Sequence, residues 1–166
     1  MLIDRTGIAR LIPHSGAMVL INGVIDWNTE HILCVATSHR DRDNPLRHGG
    51  RLHCLSGVEY AAQAMATHGS LVARNAHRKA GRGYLASLRD LEYFTDWLDT
   101  APEVLEIWAK CLFHDRSRSI YQFTLSAEGS TLLSGRAAVI VHWFGRNRRE
   151  DKTSETGAGS LSSVLT

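Results

Sequence analysis

The sequence predicts an α+β fold in which one long helix is wrapped by an antiparallel β-sheet. Two observations predict it. Residues 56–78 repeat apolar side chains at helical spacing, and six other runs are apolar and strand-like. The order is β-β-loop-α-β-β-β-β, with turn residues between consecutive runs. That order is typical of an antiparallel sheet packed on a single helix.

The first third of the chain predicts a short helix and a hairpin. Residues 7–12 could form an opening helix, which Pro13 would stop. Residues 18–27 predict a strand and residues 30–38 its hairpin partner, with Asn28 in the turn between them. We expect these strands to open the sheet.

A polar stretch and the long helix follow. Residues 39–53 are too irregular for a strand or a helix, and loops of this length are usually functional or disordered. The helix begins at Ser56, and its many alanines allow another surface to approach it closely. Gly81 and Gly83 then break it.

Four strand-like runs fill the second half, at residues 84–94, 104–113, 119–126 and 131–144. Turn residues separate the last three runs, which predicts an antiparallel meander. We therefore expect residues 1–144 to form one domain. Residues 145–166 are charged and then rich in Gly, Ser and Thr, which predicts a disordered polar tail.

The composition argues against several classes of protein. Nineteen Lys and Arg against 17 Asp and Glu is too balanced to predict nucleic-acid binding. No apolar run approaches the roughly 20 residues of a membrane span, and the charged N-terminus does not resemble a signal peptide. Cys34, Cys54 and Cys111 lack the spacing of a disulfide framework or a zinc site. We expect a cytoplasmic protein without a metal or cofactor.

Three segments in a fixed order carry a family resemblance. They are Leu11-Ile12-Pro13-His14 with Met18-Val19-Leu20-Ile21, Glu59-Tyr60-Ala61-Ala62-Gln63-Ala64, and Gly83-Tyr84-Leu85-Ala86-Ser87-Leu88. They resemble the opening segment, central-helix motif and following strand of the 3-hydroxyacyl-acyl carrier protein dehydratases of the FabZ/FabA type. Asn44-Pro45-Leu46, a glycine-containing loop and Gly57-Val58-Glu59-Tyr60 look most like the ApeP-like, aryl-polyene branch.

The resemblance implies a hot-dog fold and the removal of water from a 3-hydroxyacyl thioester on an acyl carrier protein. The setting would be fatty-acid-like or aryl-polyene-type biosynthesis. It also implies a homodimer, or a heterodimer with another hot-dog subunit. The active site would lie at the dimer interface, with its histidine and its acid from different subunits.

The resemblance carries Glu59 over as the acid, or as the holder of a water molecule. The histidine of the FabZ/FabA type stands 14 residues earlier, which is Pro45 here, with Asn44 beside it. His48 and His53 are therefore the candidates for the base, because histidine is suited to proton transfer near neutral pH. For His14 we expect a structural hydrogen bond rather than chemistry.

The helix start is the predicted site for the thioester oxygen. Amide groups that open a helix lack internal partners and lie at its positive end, so Cys54, Leu55 and Gly57 could donate to a developing oxyanion. Gln63, one turn beyond Glu59, could contact substrate or hydrogen-bond within the helix packing. These residues complete the predicted site.

Several alternatives remain open from the sequence. Ser56 and Glu59 fit a capping box, in which the glutamate has only a structural role. Cys54 with His53 could form a nucleophile pair, and His48, His53 and Cys54 could bind a metal. As a whole, the protein could be a catalytically impaired partner subunit of a hot-dog heterodimer, or an acyl thioesterase that uses Glu59 to activate water.

Overall fold

The structure is a computed structural model that describes residues 1–78, 81–115 and 117–142. The helices and strands within these residues are β1 (Ile3–Asp4), α1 (Arg5–Ala9), β2 (Gly23–Trp27), β3 (His31–Ala36), α2 (Gly57–Asn75), β4 (Arg82–Tyr93), β5 (Leu105–His114), β6 (Arg118–Ala127) and β7 (Ser130–His142). They confirm the α+β prediction. The predicted tail, residues 145–166, lies outside the described residues, as do residues 143–144 of the last predicted strand. Neither helix is long and apolar enough to cross a membrane.

The seven strands form one antiparallel sheet in the order β1-β2-β3-β5-β6-β7-β4. The predicted meander is present as β5-β6-β7. Strand β4 does not pair with the next strand in sequence but with β7, so it lies at the far edge. Strand β3 pairs with β5 instead. After β3 the chain therefore passes through α2 to β4 at the far edge and then returns to β5 beside β3, where the meander begins.

Helix α2 lies across β3, β5 and β6 and supplies the centre of the core. Tyr60, on its first turn, is completely buried. Gly57 allows this close packing, because a Cβ there would stand 2.7 Å from Leu125 Cδ2 and 2.8 Å from Leu133 Cδ2. The start of the helix, and with it Glu59, is thus fixed against β6 and β7.

The segment before β2 differs from the prediction. A strand over residues 18–27 was expected, but only Gly23–Trp27 is strand, and Gly16–Met18 forms a 3₁₀ turn. Leu20 is buried and its backbone amide donates to the Gln63 side chain at 2.9 Å. Because this amide bonds to a helix side chain rather than to a neighbouring strand, the apolar run packs against α2 and leaves the sheet.

The first helix also begins earlier than residues 7–12 predict. Asp4 accepts a hydrogen bond from the Gly7 amide at 2.8 Å and caps a helix that starts at Arg5. A carboxylate at this position satisfies one of the free amides of the first turn. The sequence predicts neither this cap nor strand β1, which ends at the same residue, Asp4.

The polar loop at residues 39–53 is held by partly buried ion pairs. Asp99 is 3.1 Å from Arg47 and 3.0 Å from Arg51. Burial alone would raise the pKa of Asp99, but hydrogen bonds and charge from the two arginines lower it overall. The loop is therefore tied to the segment before β5.

Candidate active site

A cavity of about 600 Å³ lies between α2 and the strands on one side of the sheet. Since α2 packs on β3, β5 and β6, space remains between the helix and strands β4 and β7. The helix side of the cavity includes four small residues, Ala62, Ala66, Gly69 and Ala73. The opposite wall includes Val139. An apolar space of this kind suits an acyl chain.

One end of the cavity carries a histidine–carboxylate contact. His14 Nε2 lies 3.0 Å from Glu59 Oε1, and both side chains line the cavity. Their side chains are 27% and 30% exposed, so both are accessible to a bound molecule. Glu59 projects from the first turn of α2, and His14 follows Pro13 in the segment before the 3₁₀ turn. The structure thus brings the His14 ring into contact with the predicted acid.

Gln63 holds the same carboxylate oxygen from one turn further along α2. Its Nε2 donates to Glu59 Oε1 at 2.9 Å and to the Met18 carbonyl at 2.7 Å, while its Oε1 accepts from the Leu20 amide at 2.9 Å. Gln63 is completely buried. Among the described residues, the side chains of Gln63 and His14 both contact Oε1 of the Glu59 carboxylate. The other oxygen, Oε2, is left for a bound molecule.

The two histidines predicted as the base lie elsewhere in this chain. His48 is exposed and forms a bridge with Arg51 around Gly49 and Gly50, whose positive φ angles of 57° and 77° suit glycine. The His53 Nδ1 atom accepts from the Leu55 amide at 3.1 Å. Neither histidine lines the cavity that contains Glu59. Within one chain, the structure brings His14 to Glu59 instead.

The His53 ring takes part in an aromatic cluster on the other side of the helix start. Its centroid is 5.9 Å from that of Tyr93 and 5.7 Å from that of Trp97, both edge-on. Arg51 stacks over Trp97 at 4.2 Å. These contacts account for His53 as a packing and capping residue.

Asn44 stands beside the position where the resemblance places a histidine, and it is only 5% exposed. Its Nδ2 donates to the Ser38 carbonyl at 2.8 Å and to the Tyr60 hydroxyl at 2.9 Å, and its Oδ1 accepts from the Leu46 amide at 2.9 Å. Burial raises the pKa of Tyr60, which keeps its hydroxyl protonated. This position therefore has a structural role next to the site.

The predicted oxyanion donors already have acceptors within the chain. The Cys54 amide donates to the Asp96 carbonyl at 2.8 Å, and the Leu55 amide donates to His53. The Gly57 amide donates back to the carbonyls of Cys54 and Leu55. This corrects the prediction: a 3₁₀ turn, Cys54–Ser56, runs directly into α2, so these amides are not free.

The capping box is also absent. Ser56 has helical φ and ψ and makes no side-chain cap hydrogen bond. The capping-box interpretation of Glu59 is therefore wrong, because the 3₁₀ turn precedes the helix and the carboxylate turns toward His14 and Gln63.

Cys54 does not have the environment of a nucleophile. Its thiol donates to the Leu132 carbonyl at 3.4 Å, and burial raises its pKa, which disfavours the thiolate. The His53 Nδ1 atom that could have activated it accepts from a backbone amide. Within residues 1–78, 81–115 and 117–142, no group of three His, Cys, Asp or Glu side chains is arranged to hold a metal ion.

A second polar pair, which no motif of the sequence predicts, lines the cavity. His68 Nδ1 lies 2.9 Å from the Tyr121 hydroxyl, and its Nε2 lies 2.8 Å from the Asn28 carbonyl. Burial lowers the pKa of His68 and raises that of Tyr121, so both are neutral. The three residues come from α2, β6 and the β2–β3 turn, and no local pattern links them.

The comparisons with known proteins agree with this architecture. Among solved structures, the dehydratase heterocomplex ApeI:P from Xenorhabdus doucetiae matches with a TM-score of 0.73 and 23% identity, over 82% of this chain and 91% of that chain. A mutant thioesterase from Pseudomonas aeruginosa matches with a TM-score of 0.60 and 14% identity, over 85% and 95%. A thioesterase from Haemophilus influenzae matches with a TM-score of 0.54 and 15% identity, over 86% and 92%. These similarities confirm the predicted hot-dog fold.

Sequence comparison identifies the family within this fold. Among curated protein sequences no significant match was found. The family model for ApeP-like proteins, described as ApeP dehydratase, matches residues 6–143 and therefore includes His14, Glu59 and Gln63. Because the match extends over most of the sequence, the chain belongs to the ApeP-like dehydratase family.

Proposed function

We propose that the protein removes water from a 3-hydroxyacyl thioester bound to an acyl carrier protein, in aryl-polyene-type or fatty-acid-like biosynthesis in the cytoplasm. Membership of the ApeP-like dehydratase family supports the reaction. The observation that carries the proposal is the 3.0 Å contact between His14 Nε2 and Glu59 Oε1 at one end of an apolar cavity.

The pair has the two groups that the elimination needs. His14 is the base that takes the proton from C2, and the electron pair of that C–H bond forms the C2=C3 double bond. The C3–O bond breaks, and protonated Glu59 gives its proton to the departing hydroxyl, which leaves as water. His14, rather than His48 or His53, is therefore the candidate for the base.

The direct contact also explains how the pair returns to its starting state. After the elimination the imidazole carries an extra proton and Glu59 is ionised. The proton then passes from His14 to Glu59 over the 3.0 Å between the two atoms, without a separate water molecule. The two groups act as one coupled unit, so the pH dependence of the reaction belongs to the pair.

The surroundings of the pair fit an acyl chain delivered by a carrier protein. The small and apolar residues of the cavity would contain the chain. Arg78 lines the cavity and Arg74 stands one turn earlier, near the end of α2, where they would steer an acidic carrier protein. Arg47 and Arg51 are engaged with Asp99, so they suit this role less well.

The edge of the sheet supports assembly with a second hot-dog subunit. Strand β4 is 12 residues long and, among the strands of the described residues, pairs with β7 alone; it exposes Leu88 and Tyr93, with Phe94 immediately after it. A long apolar edge strand is a surface on which another strand can pair. The similar X. doucetiae dehydratase is a heterocomplex. The partner of this chain would be a second copy or a different hot-dog subunit.

Incubation of the purified protein with a 3-hydroxyacyl carrier protein tests the proposal. We expect an enoyl product, and Glu59→Gln should reduce its formation by about 100- to 10,000-fold, because the amide keeps the shape of the acid but cannot transfer the proton. If the wild-type protein removes no water from the substrate and Glu59→Gln behaves in the same way, the proposed function is contradicted.

The same assay separates the two alternatives. Several similar structures are thioesterases, and the available Oε2 of Glu59 could activate a water molecule. A free acid instead of the enoyl thioester would favour hydrolysis. If the protein is an impaired partner subunit, the enoyl product would form only after a second hot-dog protein is added.

A further inference from the structure

We propose that Gln63 is a positioning residue that sets the geometry and the charge of the His14–Glu59 pair. The catalytic part of this inference rests on the proposed function. The structural part rests on the hydrogen bonds of the buried Gln63 side chain. Gln63 does not touch the substrate in this proposal; it acts through Glu59.

The orientation of the Gln63 amide is fixed by its partners. The Leu20 amide is a donor and lies 2.9 Å from Oε1, so that atom of Gln63 must be the carbonyl oxygen. The NH₂ group then donates to Glu59 Oε1 at 2.9 Å and to the Met18 carbonyl at 2.7 Å. The side chain is completely buried, so no water competes for these bonds.

These bonds connect the two parts of the chain that carry the pair. Glu59 and Gln63 belong to α2, whereas Met18 and Leu20 belong to the segment that begins with His14. One side chain therefore holds the segment and the helix in register. Losing it would let His14 move relative to Glu59, and small displacements of reacting groups reduce rates strongly.

The same bonds direct a hydrogen-bond donor at the Glu59 carboxylate. A donor directed at Oε1 stabilises the ionised carboxylate over the protonated acid. His14 is the titratable group in contact with Glu59. The other titratable groups that line the cavity are His68, Arg78, Tyr84, Cys111, His114 and Tyr121. Removal of the Gln63 donor should thus make Glu59 take up its proton at a higher pH.

An NMR titration of the Glu59 carboxyl carbon tests this without an activity assay. The signal is assigned from its loss in Glu59→Gln. In Gln63→Met, which has similar length but no hydrogen-bonding group, the midpoint should rise by about 1–2 pH units, the effect of one lost bond to a charged group. The matched control is Thr67→Val, which removes a buried hydroxyl that donates to the backbone carbonyl of Gln63 but leaves the side-chain contact with Glu59 intact.

A second variant covers the case in which Gln63→Met does not fold. Gln63→Glu keeps an acceptor for the Leu20 amide and places a second carboxyl group beside Glu59, so the midpoint should again rise. In the dehydration assay, kcat should fall by about 100-fold in either variant with KM changed much less, and the acid limb of the pH profile should move upward.

An unchanged Glu59 midpoint in a folded Gln63 variant would overturn the proposal and leave Gln63 as a packing residue. A midpoint that rises equally in Thr67→Val would do the same. If the wild-type protein forms no enoyl product, the proposed function fails, whereas the titration still decides the role of Gln63.

Discussion

Two histidine-bearing segments approach the start of α2, and they differ in what they bring to Glu59. The segment of residues 13–18 lies far from Glu59 in sequence, yet places His14 Nε2 3.0 Å from its carboxylate. The loop at residues 44–54 precedes the helix directly, yet directs His53 to an aromatic cluster and His48 to the surface. The histidine that contacts Glu59 is therefore distant from it in sequence, whereas the histidines closer in sequence do not contact it.

The difference has a structural cause. The second segment enters α2 through a 3₁₀ turn, and a histidine just before a helix caps the backbone outside the helix. The first segment leaves the sheet and lies along the face of α2 that carries Glu59 and Gln63. His14 from this segment can therefore contact the helix acid, whereas His53 from the loop packs against Tyr93 at the end of β4.

The largest effect expected from this comparison is on catalysis. His14→Asn shortens the side chain so that it no longer reaches Glu59, and kcat for dehydration should fall by about 100- to 10,000-fold. His48→Asn and His53→Asn are the matched variants, and asparagine at position 53 keeps a capping oxygen. We expect both to retain most of the activity; a loss confined to either of them would transfer the role of base to the loop.

A complementation experiment asks whether the pair works within one chain. Copies with His14→Asn and copies with Glu59→Gln are co-expressed with different tags, and mixed dimers are isolated. Because the contact is formed within one chain, each copy lacks one member, and the mixed dimer should be as inactive as either variant alone. Recovery of enoyl formation would show that histidine and acid come from different subunits, as the family resemblance implies.

A smaller effect is expected on stability at the loop. Asn44→Ala removes hydrogen bonds to Tyr60, Ser38 and Leu46 and leaves buried polar groups unpaired. The free energy of unfolding should fall by about 1–3 kcal/mol, measured by urea denaturation. The control is the exposed neighbour in Asp43→Ala, with an expected change below about 0.5 kcal/mol. Equal stability of the two variants would contradict a structural role for Asn44.

The smallest effect is a pH dependence of stability. Burial lowers the pKa of His39 and of His68, so both bind protons more readily in the unfolded chain. Their contribution is complete above the ordinary histidine pKa of about 6.5 and decreases as the pH falls toward the folded values, by at most about 1.4 kcal/mol per histidine and pH unit. Urea denaturation between pH 7.5 and 5.5 measures it.

His68→Gln should show a smaller slope than the wild-type protein in this experiment. Asp99 does not interfere, because its pKa is lowered in the folded protein: its stabilising contribution is complete above a pH of about 4 and is lost only below it. Stability that is unchanged between pH 7.5 and 5.5 would contradict the buried, neutral state of both histidines.

The sequence was sufficient for the elements with strong local signals. The long helix and the last four strands could be predicted because periodicity and turn residues are local properties. The strand at residues 18–27 was predicted too long, since nothing in that run shows that the Leu20 amide bonds to Gln63 rather than to another strand. Residues that pair across the fold leave no such signal.

What the sequence determined by itself is thus the family, most of the helices and strands, and Glu59 as the candidate acid. Only the tertiary structure decided which histidine meets Glu59, because that depends on how the segment of residues 13–20 packs along α2. It also decided that the helix-start amides are occupied and that Asn44 supports Tyr60. The physical reason is the same in each case: hydrogen-bond partners far apart in sequence are chosen by packing, which the local pattern of residues does not specify.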